Sequence, residues 1–209
     1  MKAFFRYLFI LGSISIVLIL LWASMDKLVR LSTMSNVSNG HIVQAVDLHY
    51  QGHLWLAYFH IIPGLLFLAL GAYQLIPYFR VRNYPIHRTV GKIFLLLSLV
   101  IFSTAIVLAI IYPFGDWLET ITTILFGSFL LFCTYKAYTA ARSLQFQAHR
   151  NWVTRIYFIA IAVSTIRGMV GLFMATGNYT MQEIFGIAFL LAFALHFFLV
   201  ELWIKYLAD

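Results

Sequence analysis

Two short polar blocks, each with a histidine followed directly by an arginine, are the residues of this sequence most suited to bind a cofactor. The first is HRTVG, from His87 to Gly91, and the second is HRNWVTR, from His149 to Arg155. Imidazole nitrogens bind haem iron and divalent metals, and guanidinium groups pair with propionates and phosphates. The two blocks therefore indicate a site for an anionic or metal-containing ligand.

Three kinds of ligand fit these blocks. A haem would use two histidines on its iron and arginines on its propionates. A divalent metal would use the imidazoles alone, with few carboxylates nearby. Anionic lipid headgroups would use the arginines. The candidate residues for this site are His87, His149, His196, Arg88, Arg150 and Arg155.

A second candidate site is formed by polar residues deeper in apolar segments, namely His60, Gln74 and Arg167. Polar groups inside a bilayer cost free energy, so they are candidates for function. His60 and Gln74 share one helical face with several glycines, which is also what a helix-packing face would show. Arg167 has two alternatives: it pairs with Glu119 or Glu183 as a structural ion pair, or it binds an acidic ligand.

The elements that must position these residues are membrane-spanning helices. Of the 209 residues, 63% are hydrophobic and 10% are charged, whereas soluble domains carry about 25% charged residues. About 20 apolar residues span a bilayer as a helix. We therefore predict one all-α integral membrane domain over 1–209, a six-helix transmembrane bundle. Its helices are expected at about 4–24, 54–78, 91–112, 117–140, 152–175 and 183–207, with an outer loop over 25–53.

The placement of Lys and Arg predicts the orientation of the bundle, because cytoplasmic loops are enriched in both. Lys27 and Arg30 lie on the predicted outer side. The predicted inner side carries ten cationic residues, namely Lys2, Arg6, Arg80, Arg82, Arg88, Lys92, Lys136, Arg142, Arg150 and Lys205. Both termini are thus predicted to be cytoplasmic, in a multi-pass protein of a bacterial inner membrane. Since the net charge of +7 is spread over short loops, no nucleic-acid partner is expected.

The sequence contains no GxSxG, HExxH or CxxC pattern and no glycine-rich phosphate loop, so whether the protein is an enzyme is left open. The single cysteine, Cys133, lies in an apolar run and is expected to be a buried hydrophobic residue.

The ordered set of these blocks resembles a bacterial family of predicted membrane proteins, the domain-of-unknown-function family 2306. The resemblance covers about residues 54 to 173 and rests on His60, Gly64, Gly71, Gln74, Arg80, HRTVG, HRNWVTR and Arg167. The family's general look is similar to cytochrome-b-type membrane reductases. That wider similarity implies a haem held between histidines on neighbouring helices.

Two functional hypotheses follow. In the first, the protein is a membrane redox protein that binds haem b, with His149 and either His87 or His196 on the iron. Arg88, Arg150 and Arg155 would neutralise the propionates, and the partner would be a quinone or another membrane redox protein.

In the second hypothesis, the protein is not an enzyme and binds a lipid or an amphipathic small molecule through His60, Gln74 and Arg167. A third arrangement, a metal-dependent membrane enzyme, would bring His87, His149 and His196 to within about 4 Å of one point.

Overall fold

A computed structural model of the protein describes residues 2–33, 49, 53–76, 78 and 82–207. In this part of the chain the regular structure is entirely helical, and six helices are long and apolar enough to cross a membrane. The predicted all-α transmembrane bundle is thus confirmed. The helices are α1 (Lys2–Thr33), α2 (Leu54–Leu75), α3 (Tyr84–Ile111), α4 (Trp117–Arg142), α5 (Phe146–Ala160), α6 (Ala162–Thr176) and α7 (Met181–Tyr206).

The first and third helices extend well beyond their predicted bounds. The first continues to Thr33, so Lys27 and Arg30 lie on α1 rather than in the outer loop, and Arg30 pairs with Asp26 one turn earlier. Most of the predicted outer loop falls outside the described residues. The third helix begins at Tyr84, because the Asn83 side chain accepts a hydrogen bond from the amide of Ile86 and a proline occupies the first turn.

The fifth span consists of two helices rather than one continuous helix. Helix α5 ends at Ala160 and α6 begins at Ala162, with Ile161 between them (φ −71°, ψ −3°). Ile161 and Ala162 are both buried, so the break lies inside the bundle. The prediction of one helix over this span is wrong in this respect.

The contacts between neighbouring helices close into a ring. Each of α2, α3 and α4 packs against the next helix in the chain, α4 also packs against α7, α7 packs against α6, and α1 contacts both α6 and α2. Helix α5 packs mainly on α4 and α7 and touches α2. The first half of the fifth span is therefore surrounded by neighbours, whereas the second half, α6, leans mainly on α7.

Helices α2, α3 and α5 meet around Gly71. A Cβ atom at this position would overlap the ring of Tyr157 on α5 and lie 2.8 Å from the ring of Phe94 on α3. The Tyr157 hydroxyl donates a hydrogen bond to the backbone oxygen of Leu68 (2.8 Å), and the rings of Phe67 and Phe94 stack with centroids 4.8 Å apart. This contact is a tightly packed point between three helices.

Replacing Gly71 with alanine is expected to lower the free energy of unfolding by about 1–3 kcal/mol, because two aromatic rings must move to admit the methyl group. Gly64 is the matched control on the same helix, since no atom lies within 4 Å of a Cβ placed there. Gly64→Ala should keep or raise the midpoint of thermal unfolding in mild detergent, and Gly71→Ala should lower it. Equal midpoints for the two variants would contradict the close packing of Gly71 against Tyr157 and Phe94.

Candidate functional site

The two histidine-arginine blocks lie at the same end of the bundle, which we call the basic end: the end where α2, α4 and α7 finish and where α3 and α5 begin. His149, in the first turn of α5, contacts the backbone oxygen of Ala137 on α4 through Nδ1 (2.8 Å). A carbonyl oxygen only accepts hydrogen bonds, so Nδ1 carries the proton. Within the described part of the chain, Nε2 of His149 makes no hydrogen bond.

His87 lies in the first turn of α3, and its backbone is held by Gln74. The Nε2 of Gln74 donates to the backbone oxygen of His87 (2.9 Å), and the amide packs against Gly91. Gln74 is buried by these contacts. It also lies roughly 21 Å along α2 from His60, by helix rise. The predicted grouping of Gln74 with His60 is therefore not what the structure shows, because Gln74 anchors the start of α3.

His196 on α7 uses both ring nitrogens inside the bundle. Its Nδ1 lies 2.7 Å from the backbone oxygen of Phe158, and its Nε2 lies 2.8 Å from the hydroxyl of Thr165. The first contact requires a proton on Nδ1, so in the neutral ring Nε2 accepts from the Thr165 hydroxyl. Binding to iron would require one of these bonds to break, so the structure gives His196 a role in holding helices together.

Arg155 forms an ion pair that the sequence analysis missed. Its Nε and Nη2 donate to the two carboxylate oxygens of Glu201 on α7 at 2.6 and 2.8 Å, and the guanidinium lies 4.6 Å from the ring centroid of Trp152. A propionate would have to compete with this carboxylate. Of the other two predicted arginines, Arg88 is exposed and Arg150 is half-buried.

The three-histidine metal arrangement is wrong. Within the described residues, no group of three or more His, Cys, Asp and Glu side chains is placed to hold a metal ion. Of the predicted basic-end set, His149 has the geometry best suited to an axial ligand, with one nitrogen bound to a carbonyl and the other open.

At the opposite end of the bundle, which the placement of Lys and Arg predicts to be the outer end, His60 joins α2 to α3. Its Nδ1 lies 2.8 Å from the hydroxyl of Thr104, which itself lies 2.8 Å from the backbone oxygen of Val100. A hydroxyl has one hydrogen, which serves the carbonyl, so the oxygen of Thr104 accepts from the His60 ring. The ammonium group of Lys27 on α1 lies within electrostatic range of this imidazole. Polar groups of three helices, α1, α2 and α3, thus interact at His60.

Arg167 lies on α6 at a similar depth. Lys27, His60, Thr104 and Arg167 are between six and nine residues from the outer ends of their helices, which is roughly 9–14 Å. The Arg167 side chain is exposed, and it stands on a different face of α6 from the buried stripe that includes Ile166. We refer to these four residues, which share this depth on four different helices, as the outer site.

The two predicted carboxylate partners of Arg167 make local hydrogen bonds. Glu119 accepts from the backbone amide of Gly115 (2.6 Å), before α4. Glu183 accepts from the amide and the hydroxyl of Thr180, both at 2.8 Å, in a capping box before α7. These bonds explain both acidic residues as stabilisers of helix starts.

Three glycines on α2 and α6 have open space beside them. No atom lies within 4 Å of a Cβ placed at Gly64 on α2 or at Gly168 and Gly171 on α6. Gly168 and Gly171 are exposed, so the space beside them lies at the surface of the bundle. These positions differ from Gly71, which is closely packed between three helices.

A shallow apolar depression elsewhere on α2 is distinct from the outer site. It is lined by Trp55, Tyr58, Phe59, Ile62 and Pro63. Trp55, Phe59 and Ile62 are exposed and follow one another at helical spacing, so this face of α2 points to lipid. His60 and Gly64 point to the bundle side instead.

Breaking the Arg155–Glu201 pair is expected to destabilise the basic end. The Arg155 side chain retains only 16% of its exposed area, so removing Glu201 leaves a largely buried charge without its carboxylate. A double-mutant cycle with Arg155→Met and Glu201→Gln should give a coupling free energy of about 1–2 kcal/mol in thermal or denaturant unfolding. Additive effects of the two changes would show that the pair contributes nothing measurable.

The comparisons with known proteins agree with this architecture. A family model described as "Predicted membrane protein (DUF2306)" matches residues 57–204, which include both histidine-arginine blocks, His60, Arg167 and His196. Helix α1 lies outside the matched region. No curated protein and no solved structure matches the chain. Because the match covers well over half of the 209 residues, the chain belongs to the DUF2306 family of predicted membrane proteins.

Proposed function

We propose that this protein is a non-enzymatic membrane protein that binds an acidic lipid or another amphipathic acid at the outer site. The observation that carries this proposal is Arg167, an exposed guanidinium roughly 13 Å from the outer end of an apolar span. A charge at this depth is costly in hydrocarbon and is retained mainly where it has a function or a polar partner.

The chemistry of the outer site suits an acidic headgroup. A guanidinium presents five N–H donors and binds a carboxylate or phosphate through two parallel hydrogen bonds. Lys27 adds a second positive charge, and Nε2 of His60, whose Nδ1 donates to Thr104, is the ring nitrogen left for a hydroxyl on the ligand. Two cations and one acceptor favour an anion that also carries hydroxyl groups.

Glycines on α2 and α6 leave room at the surface of the bundle for the apolar part of such a ligand. The space next to Gly64, Gly168 and Gly171 is free of protein atoms within 4 Å of a Cβ position. An acyl chain can lie in such space without displacing a side chain. Gln74 is no part of this proposal, because it is buried near the opposite end of α2.

Arg167→Gln is expected to weaken the binding of an anionic lipid by about tenfold or more, since a charge-assisted hydrogen bond contributes about 1.5–3 kcal/mol. The measurement is native mass spectrometry of detergent-purified protein titrated with phosphatidylglycerol and with phosphatidylcholine of the same acyl chains. Arg142→Gln is the matched control, because Arg142 is an exposed arginine at the basic end. Equal retention of both lipids, or equal losses in both variants, would overturn the proposal.

A second candidate function, a haem-b redox protein, is favoured by the geometry of His149. A histidine that binds a metal usually donates its other ring N–H to a carbonyl or a carboxylate, and His149 has this arrangement with Ala137. His87 would be the second residue to bind the iron, and Arg88 and Arg150 would pair with the propionates. A quinone or a membrane redox protein would exchange the electron. The excess of cationic residues supports a bacterial cytoplasmic membrane, with the basic end inside.

An absorption spectrum tests this second candidate. Protein purified from cells with ample haem should show a Soret band, and dithionite should produce sharp α and β bands, as bis-histidine haem does. His149→Ala should abolish or shift these bands, whereas His60→Ala, at the other end of the bundle, should leave them unchanged. A spectrum without these bands in the unmodified protein would remove the haem candidate and leave the lipid site untouched.

A further inference from the structure

The break in the fifth span is bridged by one side chain from another helix. His196 on α7 contacts the backbone oxygen of Phe158, in the last turn of α5, and the hydroxyl of Thr165, in the first turn of α6. Its ring is 7% exposed, so both hydrogen bonds lie inside the bundle. One imidazole therefore holds both helices that flank Ile161.

The bilayer explains why this break needs such a bridge. The last four carbonyls of a helix have no amide partner within the helix, and Phe158 is in that position at the end of α5. In water a solvent molecule would satisfy this oxygen, but the hydrocarbon core offers none. The Nδ1–H of His196 supplies the donor, and Nε2 accepts from Thr165, so the ring satisfies groups on both sides of the break.

We infer that His196 is a positioning residue that sets the direction of α6 and thereby the place of Arg167 in the outer site, an inference that rests on the proposed lipid-binding function. Thr165, the residue that His196 holds, precedes Arg167 by only two positions. Helix α6 packs mainly on α7, with smaller contacts to α1 and α5. With few other neighbours, the direction of α6 depends on how its first turn is fixed.

The alternative explanation for the direction of α6 is apolar packing at the break. Ile161 and Ala162 are 1% and 0% exposed, and they could hold the bend without any polar bridge. The two causes differ in their response to substitution at His196. If packing alone fixes α6, removing the imidazole leaves the helix where it is. If the hydrogen bonds fix the direction of α6, removing the imidazole allows α6 to take a range of directions.

The distance between two spin labels reports the direction of α6 in the absence of any ligand. Leu66 on α2 and Leu172 on α6 are exposed, so each can be changed to cysteine and labelled, while the native Cys133 is fully buried. Pulsed electron–electron double resonance then reports the distribution of distances between the label on α2 and the label on α6. We expect a narrow distribution in the unmodified chain and a broader one with a displaced mean in His196→Ala. An unchanged distribution in His196→Ala would overturn the inference.

His196→Asn provides the conservative control. Its side-chain amide occupies the position of Nδ1 and can still donate to Phe158, although it loses the contact with Thr165. Because His196→Asn and Thr165→Val both keep a donor to Phe158 and both lose the bond to Thr165, both should broaden the distribution, and by less than His196→Ala does. These two variants also keep the test decisive if His196→Ala does not fold: unmodified distributions in both would count against the inference.

The same variants, titrated with phosphatidylglycerol, separate the inference from the proposed function. A displaced α6 together with a loss of lipid retention like that of Arg167→Gln, about tenfold, supports both. A displaced α6 with unchanged retention contradicts a binding role for Arg167, while the positioning of α6 by His196 stands. Arg167→Gln should leave the α2–α6 distance unchanged, because it alters the ligand contact and leaves the helix break intact.

Discussion

Polar groups inside an apolar bilayer must find their partners within the protein, and this constraint organises the bundle. The side chains of His60, Gln74, Tyr157 and His196 each form a hydrogen bond to a different helix. Three of these bonds end on a backbone oxygen and one on a threonine hydroxyl. Since the hydrocarbon offers no water as a substitute, these bonds link helices in pairs and fix their relative positions more specifically than apolar contacts alone.

The two halves of the bundle satisfy this constraint differently. At the basic end, α5 lies among α2, α4 and α7, and the Arg155–Glu201 pair and the Gln74–His87 bond join neighbouring helices. In the outer half the fifth span continues as α6, which leans on α7 and leaves open space beside its glycines. The break at Ile161 therefore separates a half surrounded by several helices from a half that packs mainly against α7.

The sequence predicted the six spans, because runs of about 20 apolar residues have few alternatives to crossing a membrane. It did not predict the break at Ile161, since no proline or glycine stands there and the surrounding run, IYFIAIAV, reads as one helix. Nor did it predict Glu201 as the partner of Arg155, because residues 46 positions apart meet only once the helices pack. A comparison of the depths of oppositely charged residues along their helices would have suggested the pair of Arg155 and Glu201. His196 was grouped with His87 and His149, whereas its partners in the structure, Phe158 and Thr165, flank the break.

The proposed site combines residues from two parts of the chain. His60, Thr104 and Arg167 lie within the region that matches the family model, whereas Lys27 lies on α1, outside it. Helix α1 is also the most exposed of the spans and reaches the bundle through contacts such as the stacking of Phe9 on Trp203, at 4.3 Å. Arg167 offers paired donors fixed by a packed helix, while Lys27 offers a point charge on a weakly packed one. If the proposed lipid binding holds, geometric selectivity for the headgroup would come from Arg167, and Lys27 would add electrostatic attraction that depends on how firmly α1 is held.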